Sequence, residues 1–349
     1  MTEEKKEMSG SRKGKDKGGR IRKLIPLLLA ASVLFLLTAC STPSGDKGGQ
    51  SAGSDAGTTE ENHEGDYAIE WKDEKLESKV RRITKIKDRD IMYSDVCEIT
   101  ELDLGECGIG EISGLENFTN LEWLNLSGNT ISDISALESL TKLTSLSIGG
   151  NQISDISALG SLTSLTDLDI YNNQISDISV LENLTGLEWL NLSGNPISDI
   201  SALGSLTNLT SLSADGSQGG AISDISALGS LTNLTELYLT DSQISDISAL
   251  ESLTNLSSLN LSGNRISDIG ALGNLTNLES LELSDNQISD ISVLGNLTNL
   301  TWLYLSGNQI SDISALGNLT NLIQLDINDN PVTDFSPIEG LELEEPSEE

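Results

Sequence analysis

One short pattern of apolar and polar positions recurs along most of the chain. From Ile99 onward a 22-residue unit repeats, and the copy from Leu300 to Asn321 reads LTWLYLSGNQISDISALGNLTN. With its first Leu as position 1, apolar residues fall at positions 1, 4, 6, 11, 14, 17 and 20, and Asn stands at position 9. Because a unit this short cannot bury its apolar face alone, eleven copies in register predict a repeat solenoid. The copies begin at Ile99, Leu121, Leu143, Leu165, Leu187, Leu209, Leu234, Leu256, Leu278, Leu300 and Leu322.

The first part of each copy has the pattern of a short strand. Positions 3 to 7 alternate between outward and inward, so positions 4 and 6 (Leu303 and Leu305 in the copy above) should face the core. Neighbouring copies then pair these strands into a parallel sheet on the concave side of the coil. The Asn at position 9 stands where the chain must turn. Its side chain can satisfy backbone groups of the turn and of the adjacent copy, which predicts an asparagine ladder.

The second part of each copy predicts a short capped segment on the convex side. The Asp of each Ile-Ser-Asp-Ile stretch, such as Asp133, precedes an Ile-Ser-Ala-Leu turn and can cap a 3₁₀ segment. The same aspartates could form a calcium ladder, but one carboxylate per turn without clustered ligands does not favour it. We therefore expect no metal and no cofactor.

The repeat resembles that of a known family. Leu-x-x-Leu-x-Leu-Ser-Gly-Asn-Gln-Ile-Ser-Asp-Ile-Ser-Ala-Leu is similar to the internalin group of bacterial leucine-rich-repeat proteins, and Ile69-x-Trp71-x-Asp73-x-x-Leu76-Glu77-x-x-Val80-Arg81 resembles that group's helical N-terminal cap. The resemblance implies an α/β-type repeat solenoid: a right-handed leucine-rich-repeat coil with a parallel concave sheet, short 3₁₀ or irregular convex segments and a helical cap. It also implies a surface protein that binds a host or other partner. No immunoglobulin-like domain or Leu-Pro-x-Thr-Gly signal follows the repeats, so host-cell invasion is not implied.

A cap is also expected on physical grounds. The end of a solenoid exposes core leucines and unpaired strand edges, which need a cover. Leu76, Val80, Ile83 and Ile86 give an apolar stripe at helical spacing that suits this role.

The N-terminus has the pattern of an export signal. Residues 1–23 are rich in Lys and Arg, an apolar run follows from Leu24 to Leu37, and Leu37-Thr38-Ala39-Cys40 resembles the lipobox of bacterial lipoproteins. In that family the Cys carries a diacylglyceryl group and becomes the new N-terminus. An uncleaved membrane helix is disfavoured because the run is shorter than the ~20 residues needed to span. A secreted protein with an accidental Cys is the other alternative. We expect export and a lipid on Cys40 that anchors the protein to the extracytoplasmic face of the cell membrane.

The chain therefore divides into five parts. We expect a lipoprotein signal peptide over 1–39, the lipidated Cys and a disordered tether over 40–66, the helical cap over 67–98, the repeats over 99–341, and an acidic tail over 342–349. The tether consists mainly of Ser, Gly, Thr and acidic residues and has almost no apolar side chains. Burial of apolar surface therefore cannot offset the conformational entropy that the tether would lose on folding.

Composition excludes several classes of function. The formal net charge is −34, and from Ile99 to the C-terminus the only bases are Lys142 and Arg265, so a nucleic-acid partner is not expected. The only histidine, His63, lies in the tether, which excludes a Ser-His-Asp or Cys-His site in the folded part. Because only carboxylate chemistry on an open sheet remains, we expect no enzyme. The three cysteines do not make a disulfide framework.

The outward strand positions 3, 5 and 7 hold the candidate binding residues. Six are aromatic and five are acidic: Trp123, Tyr171, Trp189, Tyr238, Trp302 and Tyr304, with Asp167, Asp169, Asp215, Glu236 and Glu282. Exposed aromatic residues on a rigid face are typical of binding hot spots, although cross-strand packing would also explain them. We predict that a monomer binds a macromolecule through this face, in the first instance a host or cell-surface protein. The alternative is a cell-wall or glycan ligand.

One copy is irregular. The unit from Leu209 to Asn233 is three residues longer than the others and separates the six aromatics into two groups of three. It is either a tolerated loop insertion or a bulge that shapes the binding face.

Overall fold

The computed structural model describes residues 65–216 and 220–344. The predicted signal peptide and nearly all of the tether therefore lie outside the described residues. One helix, α1 (Glu74–Thr84), precedes the repeats, and strands then alternate with short 3₁₀ helices. The strands are β1 (Glu101–Asp103), β2 (Trp123–Asn125), β3 (Ser145–Ser147), β4 (Asp167–Asp169), β5 (Trp189–Asn191), β6 (Ser211–Ser213), β7 (Glu236–Tyr238), β8 (Ser258–Asn260), β9 (Ser280–Glu282), β10 (Trp302–Tyr304) and β11 (Gln324–Asp326).

The 3₁₀ helices of the repeats occupy the convex side, as predicted. Within the described residues there are twelve, of which the first belongs to the cap. They span Tyr93–Asp95, Leu115–Asn117, Ser135–Leu137, Ser157–Ser161, Ser179–Asn183, Ser201–Ser205, Ser226–Ser230, Ser248–Ser252, Gly270–Asn274, Ser292–Asn296, Ser314–Asn318 and Ser336–Ile338.

The strands form a single parallel sheet. Across the described residues its order is β1 to β11 in chain order, and each strand pairs in register with the next, as in Leu303 with Leu325. The inward residues are fully buried: Leu303, Leu305 and Ile310 each have 0% exposure. This arrangement confirms the predicted leucine-rich-repeat solenoid.

The strands are shorter than the sequence predicted. Each covers positions 3 to 5 rather than 3 to 7, although backbone hydrogen bonds between copies continue, as from Gly128 N–H to the Gly149 carbonyl (2.9 Å). The backbone conformation at position 8 explains why the strands are shorter. It is left-handed in ten of the copies, with φ of 68° at Gly128 and 48° at Asn172. Such a residue turns the chain out of the strand, and Gly, Asn and Asp adopt it at the least cost.

The asparagine ladder is present. Asn151 donates from Nδ2 to the Ile148 carbonyl of its own copy (2.9 Å) and to the Leu126 carbonyl of the preceding copy (3.0 Å). Its Oδ1 accepts the Ile131 N–H (3.0 Å), again from the preceding copy. Each such side chain therefore ties two copies together through buried backbone groups. The same pattern recurs at Asn129, Asn173, Asn195, Asn264, Asn286, Asn308 and Asn330.

The convex aspartates have the predicted capping role. Asp133 Oδ1 accepts the Ser135 N–H at the start of a 3₁₀ helix (2.9 Å), and this bond lowers the pKa of the Asp133 carboxyl. The carboxylates are thus engaged by their own copies. Among the described residues no group of three or more metal-ligating side chains forms a metal site.

The cap follows the predicted stripe only in part. Asp73 caps α1, since its Oδ1 accepts the Leu76 N–H (3.0 Å) while its Oδ2 accepts the Gly110 N–H of the first copy (2.8 Å). Leu76 and Val80 are fully buried. Ile83 is 37% exposed, so its assignment to the buried stripe was wrong. The buried face of α1 is centred between Leu76 and Val80, and Ile83 lies on the margin of that face.

The two ends of the solenoid differ. The cap covers the first copy, whereas Leu325 and Ile327 of the last copy are only partly buried. Among the described residues, no helix has the length and apolar content needed to cross a membrane.

Candidate functional site

The outward side chains at positions 3, 5 and 7 form one surface, which we call the concave face. In-register pairing aligns each position along the whole sheet, so Trp189 lies between Asp167 and Ser211, and Trp302 lies between Ser280 and Gln324. Copies about 4.8 Å apart place Trp123 and Trp189 roughly 14 Å from each other. The sequence therefore predicted the order of side chains on this face, and the sheet brings them into continuous rows.

The aromatic residues differ in their exposure. Trp302 is 41% exposed, whereas the other five are half-buried: Trp123, Tyr171, Trp189, Tyr238 and Tyr304. Two hydroxyl groups are held by the following strand, since Tyr304 donates to Gln324 Oε1 (2.7 Å) and Tyr238 to Ser258 Oγ (3.3 Å). Cross-strand contacts thus fix these rings, and a rigid aromatic side chain loses little entropy on binding.

Tyr171 has a structural partner that the sequence did not indicate. A Cβ atom built on Gly149, at position 7 of the preceding copy, would lie 2.0 Å from the Tyr171 ring. The ring therefore occupies the space where other copies carry a position-7 side chain. The only available signal was this coincidence of a glycine and a tyrosine in adjacent copies.

The five acidic residues fall into two environments. Asp167 and Glu236 are exposed, while Asp169, Asp215 and Glu282 are partly buried. Burial raises the pKa of Asp169 to about 6. Hydrogen bonds from the Tyr171 N–H (3.3 Å) and Ser147 Oγ (3.5 Å) act in the opposite direction, because they favour the charged form. Burial also raises the pKa of Glu282, which accepts a hydrogen bond from Asn260 Nδ2 (2.7 Å). Since no Lys or Arg occupies position 3, 5 or 7 in any copy, the face presents negative charge to a ligand.

The irregular copy leaves the sheet intact. Ser211 and Glu236 pair in register across it, so the three extra residues follow the strand instead of interrupting it. The Asp215 carboxylate accepts a hydrogen bond from the Gly194 N–H (3.1 Å). In regular copies the corresponding N–H donates to the backbone carbonyl at position 7 of the next copy. Gly220 packs on the preceding copy, because an added Cβ would lie 2.5 Å from the Ile197 carbonyl oxygen. The Asp215 carboxylate is therefore bonded to the backbone of the preceding copy.

The asparagine ladder is interrupted beside the same insertion. The Ile197 N–H donates to the Asn195 carbonyl of its own copy (2.8 Å). In the next copy Ser242 takes position 9, and its hydroxyl donates to the Thr240 carbonyl (3.3 Å). The interruption lies between the two aromatic groups.

Comparison with known proteins identifies the repeats. A model of a leucine-rich repeat region matches residues 95–311, and a model of two leucine-rich-repeat copies matches residues 298–340. The chain is thus a leucine-rich-repeat protein. An internalin, inlF, from Listeria monocytogenes is 40% identical, with a TM-score of 0.74 over 78% of this chain and 80% of that chain. The chain belongs to the internalin family.

Two more distant structures share the fold. A leucine-rich-repeat protein of Leptospira interrogans is 22% identical, with a TM-score of 0.62 over 72% of this chain and 73% of that one. The plant peptide hormone receptor RGFR1, solved in complex with RGF2, is 24% identical, with a TM-score of 0.60 over 74% of this chain and 49% of that one. A search of curated proteins found no match.

Proposed function

We propose that this protein is a surface protein that binds a protein partner through its concave face and catalyses no reaction. The observation that carries the proposal is the exposed Trp302, held on a rigid strand beside Tyr304 and Ser280. An exposed Trp on an ordered sheet is an anchor for a partner's apolar side chain. The candidate binding residues are the six aromatics together with Asp167, Asp169, Asp215, Glu236 and Glu282.

The charge of the face specifies the chemistry of the partner. Asp167 and Glu236 are exposed at position 3, and no Lys or Arg stands at position 3, 5 or 7 of any copy to neutralise them. A partner surface with Lys or Arg around an apolar side chain complements this arrangement, and such charges mainly increase the rate of association and the specificity.

Relatives support an interaction role. The family is that of internalin F, and the distantly similar plant receptor was solved in complex with RGF2. We infer a partner on a host or cell surface, bound by a monomer of this protein.

Photo-crosslinking tests the position of the binding surface. A photoreactive side chain at Ser280, next to Trp302 on the sheet, is expected to yield a protease-sensitive adduct with the partner. The matched control carries the same group at the exposed Asn274, in the convex segment that precedes β9. This control should yield no adduct. Adducts from Asn274 alone would contradict binding through the concave face.

A glycan or cell-wall ligand is the second candidate. It is favoured by the combination of aromatic rings and carboxylates on one face, because sugars stack on the former and hydrogen-bond to the latter. An adduct at Ser280 that survives protease but not glycan hydrolysis would favour this ligand over a protein.

We also propose export and a lipid on Cys40, which lies outside the described residues. The support is the basic, apolar and Leu-Thr-Ala-Cys sequence that precedes the fold. Radioactive palmitate should label the wild-type protein and not Cys40→Ser, and equal labelling of the two would contradict lipid attachment at this residue.

A further inference from the structure

The bases of the folded chain are concentrated at one end. Eight of the ten Lys and Arg residues in 65–216 and 220–344 lie between Lys72 and Arg89, and the other two are Lys142 and Arg265. The repeats are strongly acidic, so the molecule has one basic end, and that end is the cap.

Half of these eight bases are engaged by the cap or by the first copy. Three form ion pairs and the fourth donates to a backbone carbonyl: Lys72 with Glu111 (3.1 Å), Arg81 with Glu77 (2.8 Å), Arg89 with Asp95 (2.6 Å), and Lys75 with the Gly108 carbonyl (2.6 Å). In the described ranges, no ion pair within 4.0 Å involves the other four, which are Lys79, Arg82, Lys85 and Lys87. These four remain available to a ligand.

The available bases flank an exposed apolar side chain, Ile83, in the sequence. Lys79 and Arg82 are three residues apart on α1 and therefore lie on one flank of the helix, next to Ile83. Lys85 ends the helix in a left-handed conformation (φ 61°), and Lys87 follows in the loop. The acids of α1, Glu74 and Glu77, lie in its first turn, at the other end. We call Lys79, Arg82, Ile83, Lys85 and Lys87 the basic end.

We propose that the basic end is a docking surface for an anionic phospholipid bilayer. Four cations and one exposed apolar side chain within nine residues complement a layer of anionic headgroups, into which Ile83 can insert. The loop acids Asp88 and Asp90 reduce the local charge without reversing it. The acidic repeats do not prevent contact, because repulsion is screened beyond about 8 Å at physiological ionic strength.

The position of the cap in the chain favours a membrane over other polyanions. The cap is the part of the fold that follows most directly after Cys40, so a lipid on that residue would bring the cap to the bilayer. This step rests on the proposed lipid anchor. Docking at the basic end would hold the solenoid by one end and leave the concave face free for its partner.

Vesicle sedimentation tests the proposal without the lipid. The chain from Ser41 to Glu349 contains the whole hydrophobic core, whose residues lie between Ile69 and Leu343. It should bind vesicles that contain phosphatidylglycerol, less so at high salt, and should not bind vesicles of phosphatidylcholine alone. At about 1 kcal/mol per base near an anionic surface, Arg82→Gln/Lys85→Gln should weaken binding by roughly 30-fold.

The matched control is Lys142→Gln/Arg265→Gln, which changes the net charge equally and should leave binding unchanged. Equal losses in the two pairs, equal binding to both kinds of vesicle, or no binding to phosphatidylglycerol would each overturn the proposal. An unchanged unfolding temperature for Arg82→Gln/Lys85→Gln excludes loss of the fold as the cause. The palmitate experiment tests lipid attachment at Cys40, and vesicle binding tests the basic end. Either experiment can fail while the other succeeds, so the two proposals are tested separately.

Discussion

Asn151→Ala is expected to lower the free energy of unfolding by about 2–4 kcal/mol. The substitution removes three hydrogen bonds, to the carbonyls of Ile148 and Leu126 and from the N–H of Ile131. The two carbonyls keep a second bond, from Asn173 and Asn129, whereas the Ile131 N–H is left without a partner. Asn151 is only 9% exposed, so water does not readily replace the lost bonds. The unpaired Ile131 N–H costs about 1–3 kcal/mol, and each of the two bonds lost at the carbonyls adds about 0.5–1.5 kcal/mol. Because two of the three groups belong to the preceding copy, the loss weakens the interface through which a solenoid gains its stability.

Asn274→Ala is the matched control for this prediction. It makes the same change at an exposed position in another copy, where an effect below about 0.5 kcal/mol is expected. Urea unfolding followed by circular dichroism gives both values. Equal stability of the two variants would show that the ladder does not hold the copies together.

The periodic part of the fold was predictable because each position has one environment repeated eleven times. The pattern alone assigns Leu303 to the core, Asn151 to the ladder and Asp133 to the capping of a convex 3₁₀ helix. The structure confirms each role. The strand length was not predictable in the same way. It depends on the backbone angle at position 8, and the alternation of apolar residues does not encode that angle.

Contacts that occur only once were the harder part. Ile83 has helical spacing from Leu76 and Val80 but lies at the margin of the buried face. The packing of Tyr171 on Gly149 depends on side-chain direction, which spacing does not specify. Asp215 carries a charge on the concave side, yet its carboxylate is bonded to the Gly194 N–H of the preceding copy. On the concave face, the sequence therefore indicates which residues point outward but not how far each is exposed.

Replacing both Trp189 and Trp302 with serine is expected to weaken partner binding by at least about 100-fold. Anchors of this kind contribute about 2 kcal/mol or more each, and 1.4 kcal/mol corresponds to a tenfold change in Kd. Serine is already the residue at position 3 in four other copies, at Ser145, Ser211, Ser258 and Ser280, so the sheet should accept it. The unfolding temperature should therefore change little. Phe335→Ser is the control, since Phe335 is a 50% exposed aromatic residue that is not on the sheet.

The most direct test of concave-face binding is the Kd of the partner identified by crosslinking, measured by titration calorimetry on the wild type and these variants. The Trp189→Ser/Trp302→Ser variant is expected to lose at least two orders of magnitude in affinity, and Phe335→Ser should bind as the wild type does. Wild-type affinity in the folded double variant would contradict it.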